Sequence, residues 1–70
     1  MKRRDLLARI AKAAAEAGVE FELVREGGAH TVFQCGAVRF TVPRHAEINE
    51  LTARGIVQHL EAELGKGWWR

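Results

Sequence analysis

At Gly18 the hydrophobic pattern of this chain changes period, and that change decides what it can fold into. Before it, Leu6, Leu7, Ile10, Ala13, Ala14 and Ala17 recur at helical spacing, while Arg9, Lys12 and Glu16 fall mostly elsewhere. The spacing predicts an amphipathic helix over residues 4–17, with Gly18 where a left-handed C-terminal glycine belongs. After it, Val19, Phe21 and Leu23 alternate with Glu20 and Glu22, the two-residue period of a strand. Gly27-Gly28 interrupts the chain, and a second strand is expected over residues 29–35. Gly36-Ala37 then marks a tight turn, with glycine suited to the first central position of type II′. The third strand, residues 38–42, ends at Pro43, which cannot donate to a ladder. Asn49 or Thr52 can cap a last helix whose apolar face is Ala53, Ile56, Val57, Leu60 and Leu64. Gly65 and Gly67 close it, and Trp68-Trp69-Arg70 is left as a tail.

The expected fold is therefore α+β in the order α-β-β-β-α. A three-stranded antiparallel sheet carries two helices on one face, as in the double-stranded-RNA-binding domain. Residues 1–70 make one domain, with residues 65–70 as its tryptophan-containing tail. Because 11 of the hydrophobic residues are alanine, the core is small, and a domain of this length buries only about 60% of its unfolded surface. It should be marginal alone or helped by a partner. Large cofactor folds and barrels do not fit. The single Cys35 cannot close an internal disulfide, and no apolar run approaches the roughly 20 residues of a membrane span. A cytoplasmic location is expected. The net charge of +2 permits nucleic-acid binding without arguing for it, so the position of the charges must decide.

Histidine is the side chain that moves protons near neutral pH without help. In an idealised two-residue hairpin at Gly27-Gly28, Glu26 pairs with Ala29 and Arg25 with His30. Continuing through the second turn sets Pro43 across from His30. One sheet face then holds Arg25, His30, Gln34, Arg39 and Thr41, and the other holds Thr31, Phe33, Cys35, Val38, Phe40 and Val42. That register leaves Phe21, Leu23 and Val32 on the polar face, so a bulge or slip is expected in the first strand. An imidazole beside guanidiniums suits phosphodiester chemistry: the imidazole moves the proton of a ribose 2′-OH while arginine holds the phosphate. Lys2, Arg3 and Arg4 cluster where the first helix begins, oppose its dipole, and read as a phosphate-contacting patch. His59 reads as solvent-facing, and the histidines and Cys35 lack the paired spacing of a metal site. No Walker or GxGxxG pattern is present, and a chain without serine has no serine nucleophile.

These residues resemble a known family. The order of helix, Gly18, a strand ending Leu23-Val24-Arg25-Glu26, Gly27-Gly28-Ala29-His30, a strand, Thr41-Val42-Pro43-Arg44-His45 and a final helix is similar to the HicA toxins. These are small mRNA interferases of type II toxin–antitoxin systems with a double-stranded-RNA-binding-like fold. The resemblance covers about residues 2–64. It implies that His30, at the end of a Gly-Ser-His-like motif, is catalytic, and that Pro43 and His45 form the family's Pro-x-His element. It also implies cleavage of mRNA with no metal or other cofactor, and a cognate HicB-like antitoxin that covers the active site in a hetero-oligomer. The serine usual before the histidine is Ala29 here, and the tryptophan tail extends beyond the usual end.

The expected function is that of a toxin with endoribonuclease activity. His30 is the general base or acid, Arg25, Arg39, Arg44, His45, Lys2 and Arg3 contact RNA, and no membrane is involved. The alternative is a non-catalytic RNA-binding module, or an inactive relative acting through complex formation.

Overall fold

The computed structural model describes residues 1–70. The chain runs α1 (Arg3–Ala17), β1 (Phe21–Gly27), β2 (His30–Cys35), β3 (Val38–Pro43), α2 (Glu50–His59) and the short α3 (Glu61–Leu64). The strands form one antiparallel sheet in the order β1-β2-β3. The architecture is α+β, with the helices against one face of the sheet. Leu6, Ile10 and Ala14 of α1, Ala53 and Ile56 of α2, and Leu60 between α2 and α3 join Phe33, Cys35, Phe40 and Val42 in a single core.

Local chemistry sets the ends of these elements. Gly18 takes φ 70, and the amides of Gly18 and Val19 close on the carbonyls of Ala15 and Ala14, the paired bonds of a Schellman motif. That closure occupies Val19, so β1 begins at Phe21. Asn49 caps α2, its side chain accepting from the Thr52 amide at 3.1 Å, which settles the choice between the two candidate caps. Gly36 takes φ 59 and Ala37 has no positive φ, as a type II′ turn requires. A Cβ at Gly36 would run into the Glu63 carboxylate and crowd Val19. Gly36→Ala is expected to lower stability by about 1–2 kcal/mol, read as a fall in the urea midpoint at unchanged slope.

The sheet differs from the expected register in two places. The loop of the first hairpin is Gly28-Ala29, so Gly27 pairs with His30 and Arg25 with Val32. Arg25 therefore sits two pairs along from His30 on the same face, not directly opposite it. The irregularity expected in β1 falls between Leu23 and Arg25, where Val24 is the extra residue. It turns Phe21 and Leu23 to the helix side, opposite Cys35 and Phe33. Phe21 then stacks on Phe33 and Phe40 with ring centroids 5.3 and 6.2 Å apart.

Residues 65–70 are not a free tail. Trp68 Nε1 donates to the Val57 carbonyl at 2.9 Å, and Trp69 meets Trp68 edge-on at 5.2 Å. The Arg9 guanidinium lies 3.8 Å from the Trp69 ring centre and also donates to the Trp69 carbonyl. Both indoles pack at the margin of the core, so the end of the chain ties α2 to α1. A turn at Gly67, φ 77, lets adjacent tryptophans share one side, which regular structure forbids.

Cys35 is fully buried. Burial, and secondarily the Glu63 charge, push its thiol above the ordinary value of 9.0. The folded state thus keeps this proton where the unfolded state loses it, so stability falls as pH rises past about 9. The expected result is an alkaline loss of melting temperature that Cys35→Ala reduces, in a scan from pH 7 to 10.

Candidate active site

The outer face of the sheet is the one the helices leave bare. Its alternation follows from the register: Gly27, His30 and Pro43 form one cross-strand row, and Arg25, Val32 and Thr41 the next. His30 opens β2 and is exposed. Its neighbours in the row are a glycine without a side chain and a proline, so nothing bulky covers the imidazole. Arg25, Gly27, Gly28, Ala29, His30, Val32 and Thr41 line a depression of about 340 Å³.

Neither Gly27 nor Gly28 takes a positive φ. A Cβ on Gly27 would come no closer than 4.0 Å to the His30 carbonyl, and one on Gly28 would meet nothing within 4 Å. The backbone therefore does not demand glycine at either position. What the pair supplies is space beside His30.

Arg44 reaches the hairpin loop beside this depression without lining it. Its amide donates to the Ala29 carbonyl at 3.0 Å, and Nη1 reaches the Gly28 carbonyl at 3.5 Å. Nη2 lies 3.8 Å from Glu26, both side chains about half exposed. An exposed pair of this length is worth little, so the guanidinium can exchange Glu26 for a phosphate. The amide bond holds the start of the segment after β3 against the hairpin tip, which is how residues distant in sequence meet.

The other expected contacts divide. Arg39 shares the outer face, but its partner is Gln34, whose Oε1 accepts from Nη2 at 3.1 Å. It lies four residues along β3 from Pro43, roughly 13 Å from the His30 row at strand rise. His45 is exposed just beyond Arg44 and lines neither this depression nor the one at the start of α1. Lys2 is held beside Glu47 by a backbone bridge and a 3.8 Å ion pair.

Arg3 is committed to the fold. Its Nε donates to the Pro43 carbonyl at 2.9 Å and its Nη2 to the Thr31 hydroxyl at 3.0 Å. Thr31 is fully buried, and a buried hydroxyl needs a partner. The sequence signal for this role was a threonine at an inward-facing strand position, which implies a polar side chain brought to it from elsewhere.

No group of three or more His, Cys, Asp or Glu side chains is placed to hold a metal ion, and no helix is long and apolar enough to cross a membrane. The depression can receive an anionic group at Arg25 and offers one imidazole to move a proton. Comparison with protein-family models, with curated proteins and with solved structures finds no match to this chain.

Proposed function

We propose that this chain is an endoribonuclease of the HicA kind, the toxin of a toxin–antitoxin pair, on a double-stranded-RNA-binding-like fold. The observation that carries the reading is His30 standing uncovered at the hairpin mouth, in a depression shared with Arg25, with Arg44 reaching the Gly28 carbonyl from beside it. The order of strands and helices and the motif around Gly27-Gly28-Ala29-His30 support it.

The chemistry needs little apparatus because the substrate brings its nucleophile. His30 takes the proton of a ribose 2′-OH as the 2′-oxygen attacks the adjacent phosphorus. The bond from phosphorus to the 5′-oxygen breaks, and that oxygen leaves with a proton from water or from the imidazolium. The products are a 2′,3′-cyclic phosphate and a 5′-hydroxyl. Arg25 and Arg44 hold the phosphate as negative charge builds on its oxygens. The motif's usual serine is Ala29, so no hydroxyl assists at that position. On this reading mRNA is the substrate, and a HicB-like antitoxin covers the exposed histidine in a cytoplasmic hetero-oligomer.

One observation favours a second reading, a non-catalytic RNA-binding module or an inactive relative. No second imidazole or carboxylate lines the depression with His30. Expression of the chain alone and with the product of its neighbouring gene separates the readings. Growth arrest relieved by the neighbour supports the toxin; unimpaired growth at full expression counts against it.

A further inference from the structure

We propose a second RNA site, separate from the histidine, in the depression between the first turn of α1 and the segment after β3. It binds the phosphates of a single strand next to the one being cut. The proposal rests on the RNA reading above, but not on cleavage.

The depression measures about 460 Å³ and is lined by Lys2, Arg3, Arg4, Leu7, Arg44 and Ala46. Four cations and no carboxylate line it, in a chain whose net charge is only +2. The nearest acids stand outside. Arg4 Nε is 3.7 Å from Asp5 and Lys2 Nζ 3.8 Å from Glu47, with all four side chains more than half exposed. Such pairs are screened by solvent and yield to a better anion.

The arrangement also runs against stability. Cations in the first turn of a helix oppose its dipole. Lys2, at the N-cap, contributes no side-chain cap, where a Ser, Thr, Asp or Asn would stabilise the turn. Arg3 has its internal role at Thr31, but Lys2 and Arg4 gain only exposed ion pairs for opposing the dipole, which marks a site kept for a ligand. The ligand that fits is a phosphodiester: it is anionic and repeats along the strand, and the lining offers charge without an aromatic face or a shaped pocket to read a base.

Arg44 joins the two sites. It lines the basic depression, while its guanidinium reaches the Gly28 carbonyl at the wall of the histidine depression. A strand crossing Arg44 sets one phosphate beside His30 and its neighbours over Lys2 and Arg4. The second site thus supplies affinity and strand direction.

The test is the salt dependence of binding of a labelled 12-nucleotide single-stranded RNA, by fluorescence anisotropy, for the parent, the Lys2→Gln/Arg4→Gln double variant and His30→Ala. Arg3 stays, because it holds Thr31 and Pro43. Removing two cations from a helix N-terminus should leave the melting temperature equal or higher, so weaker binding is not unfolding. The expected result is a loss of about tenfold in affinity near 0.1 M salt and a slope of log affinity against log salt shallower by about 1.4, at about 0.7 per phosphate contact. His30→Ala should keep the parent slope. If the double variant binds with the parent's affinity and slope, the second site is wrong and the histidine reading stands. A parent that binds with the expected slope difference but never cuts RNA keeps the second site and removes the nuclease. A parent that binds no RNA removes both.

Discussion

Purified His30→Ala is expected to cut RNA about 10²–10⁴ times more slowly than the parent, the usual contribution of one acid–base group. The fold should be untouched. The imidazole is exposed and makes no hydrogen bond within the protein, so its removal leaves no cavity and no orphaned partner. A melting temperature within a degree or two of the parent, beside a collapsed rate, separates chemistry from stability. Arg25→Gln should cost less, because Arg44 remains to hold phosphate. On the toxin reading proposed above, the His30 variant is also expected to lose any arrest of growth that the parent causes in cells.

Ile10→Ala has the largest effect expected on the fold itself. Ile10 is fully buried on the face of α1 that meets the sheet, and such truncations cost about 2–5 kcal/mol through lost transfer energy and the cavity left behind. A chain of this length has roughly 4–10 kcal/mol in total at typical per-residue stability. The variant should be marginal or largely unfolded at 37 °C, with its urea midpoint lowered by about half. Leu51→Ala is the control: Leu51 is 78% exposed, and its loss should stay within about 0.5 kcal/mol. A partner that binds only the folded form would restore Ile10→Ala by mass action. Loss of function in that variant alone therefore says nothing about the site.

Much of this was legible in the sequence because it rests on local rules. The period change at Gly18, the glycine turn at Gly36 and a cap at Asn49 or Thr52 each depend on a few neighbouring residues. The alternation in β2 and β3 assigned their two faces correctly, since a strand with one buried face tolerates no slip. What was not legible depends on packing between distant segments. Alternation showed that β1 needed an irregularity, but its place at Val24 is fixed by the stacking of Phe21 on Phe33 and Phe40. The hairpin loop shifted by one residue because Gly27 and Gly28 offer no side-chain preference for either register.

The candidate site was legible in its residue types more than in its geometry. Arg25 and His30 do share a face, and Arg44 does reach the hairpin through Gly28 and Ala29. Arg39 shares the face but not the site. Arg3 looked like its neighbours in a run of cations, and its bonds to the buried Thr31 hydroxyl and the Pro43 carbonyl distinguish it. Trp68 and Trp69 gave no period to read, and their packing depends on Val57 and Arg9, far away in the chain.

The most direct measurement takes single-stranded RNA with purified parent and His30→Ala protein, in EDTA, and identifies the new ends. Cutting is expected with the parent alone, leaving 2′,3′-cyclic phosphate and 5′-hydroxyl ends. Intact RNA with folded parent protein, or cleavage that survives His30→Ala, would contradict it.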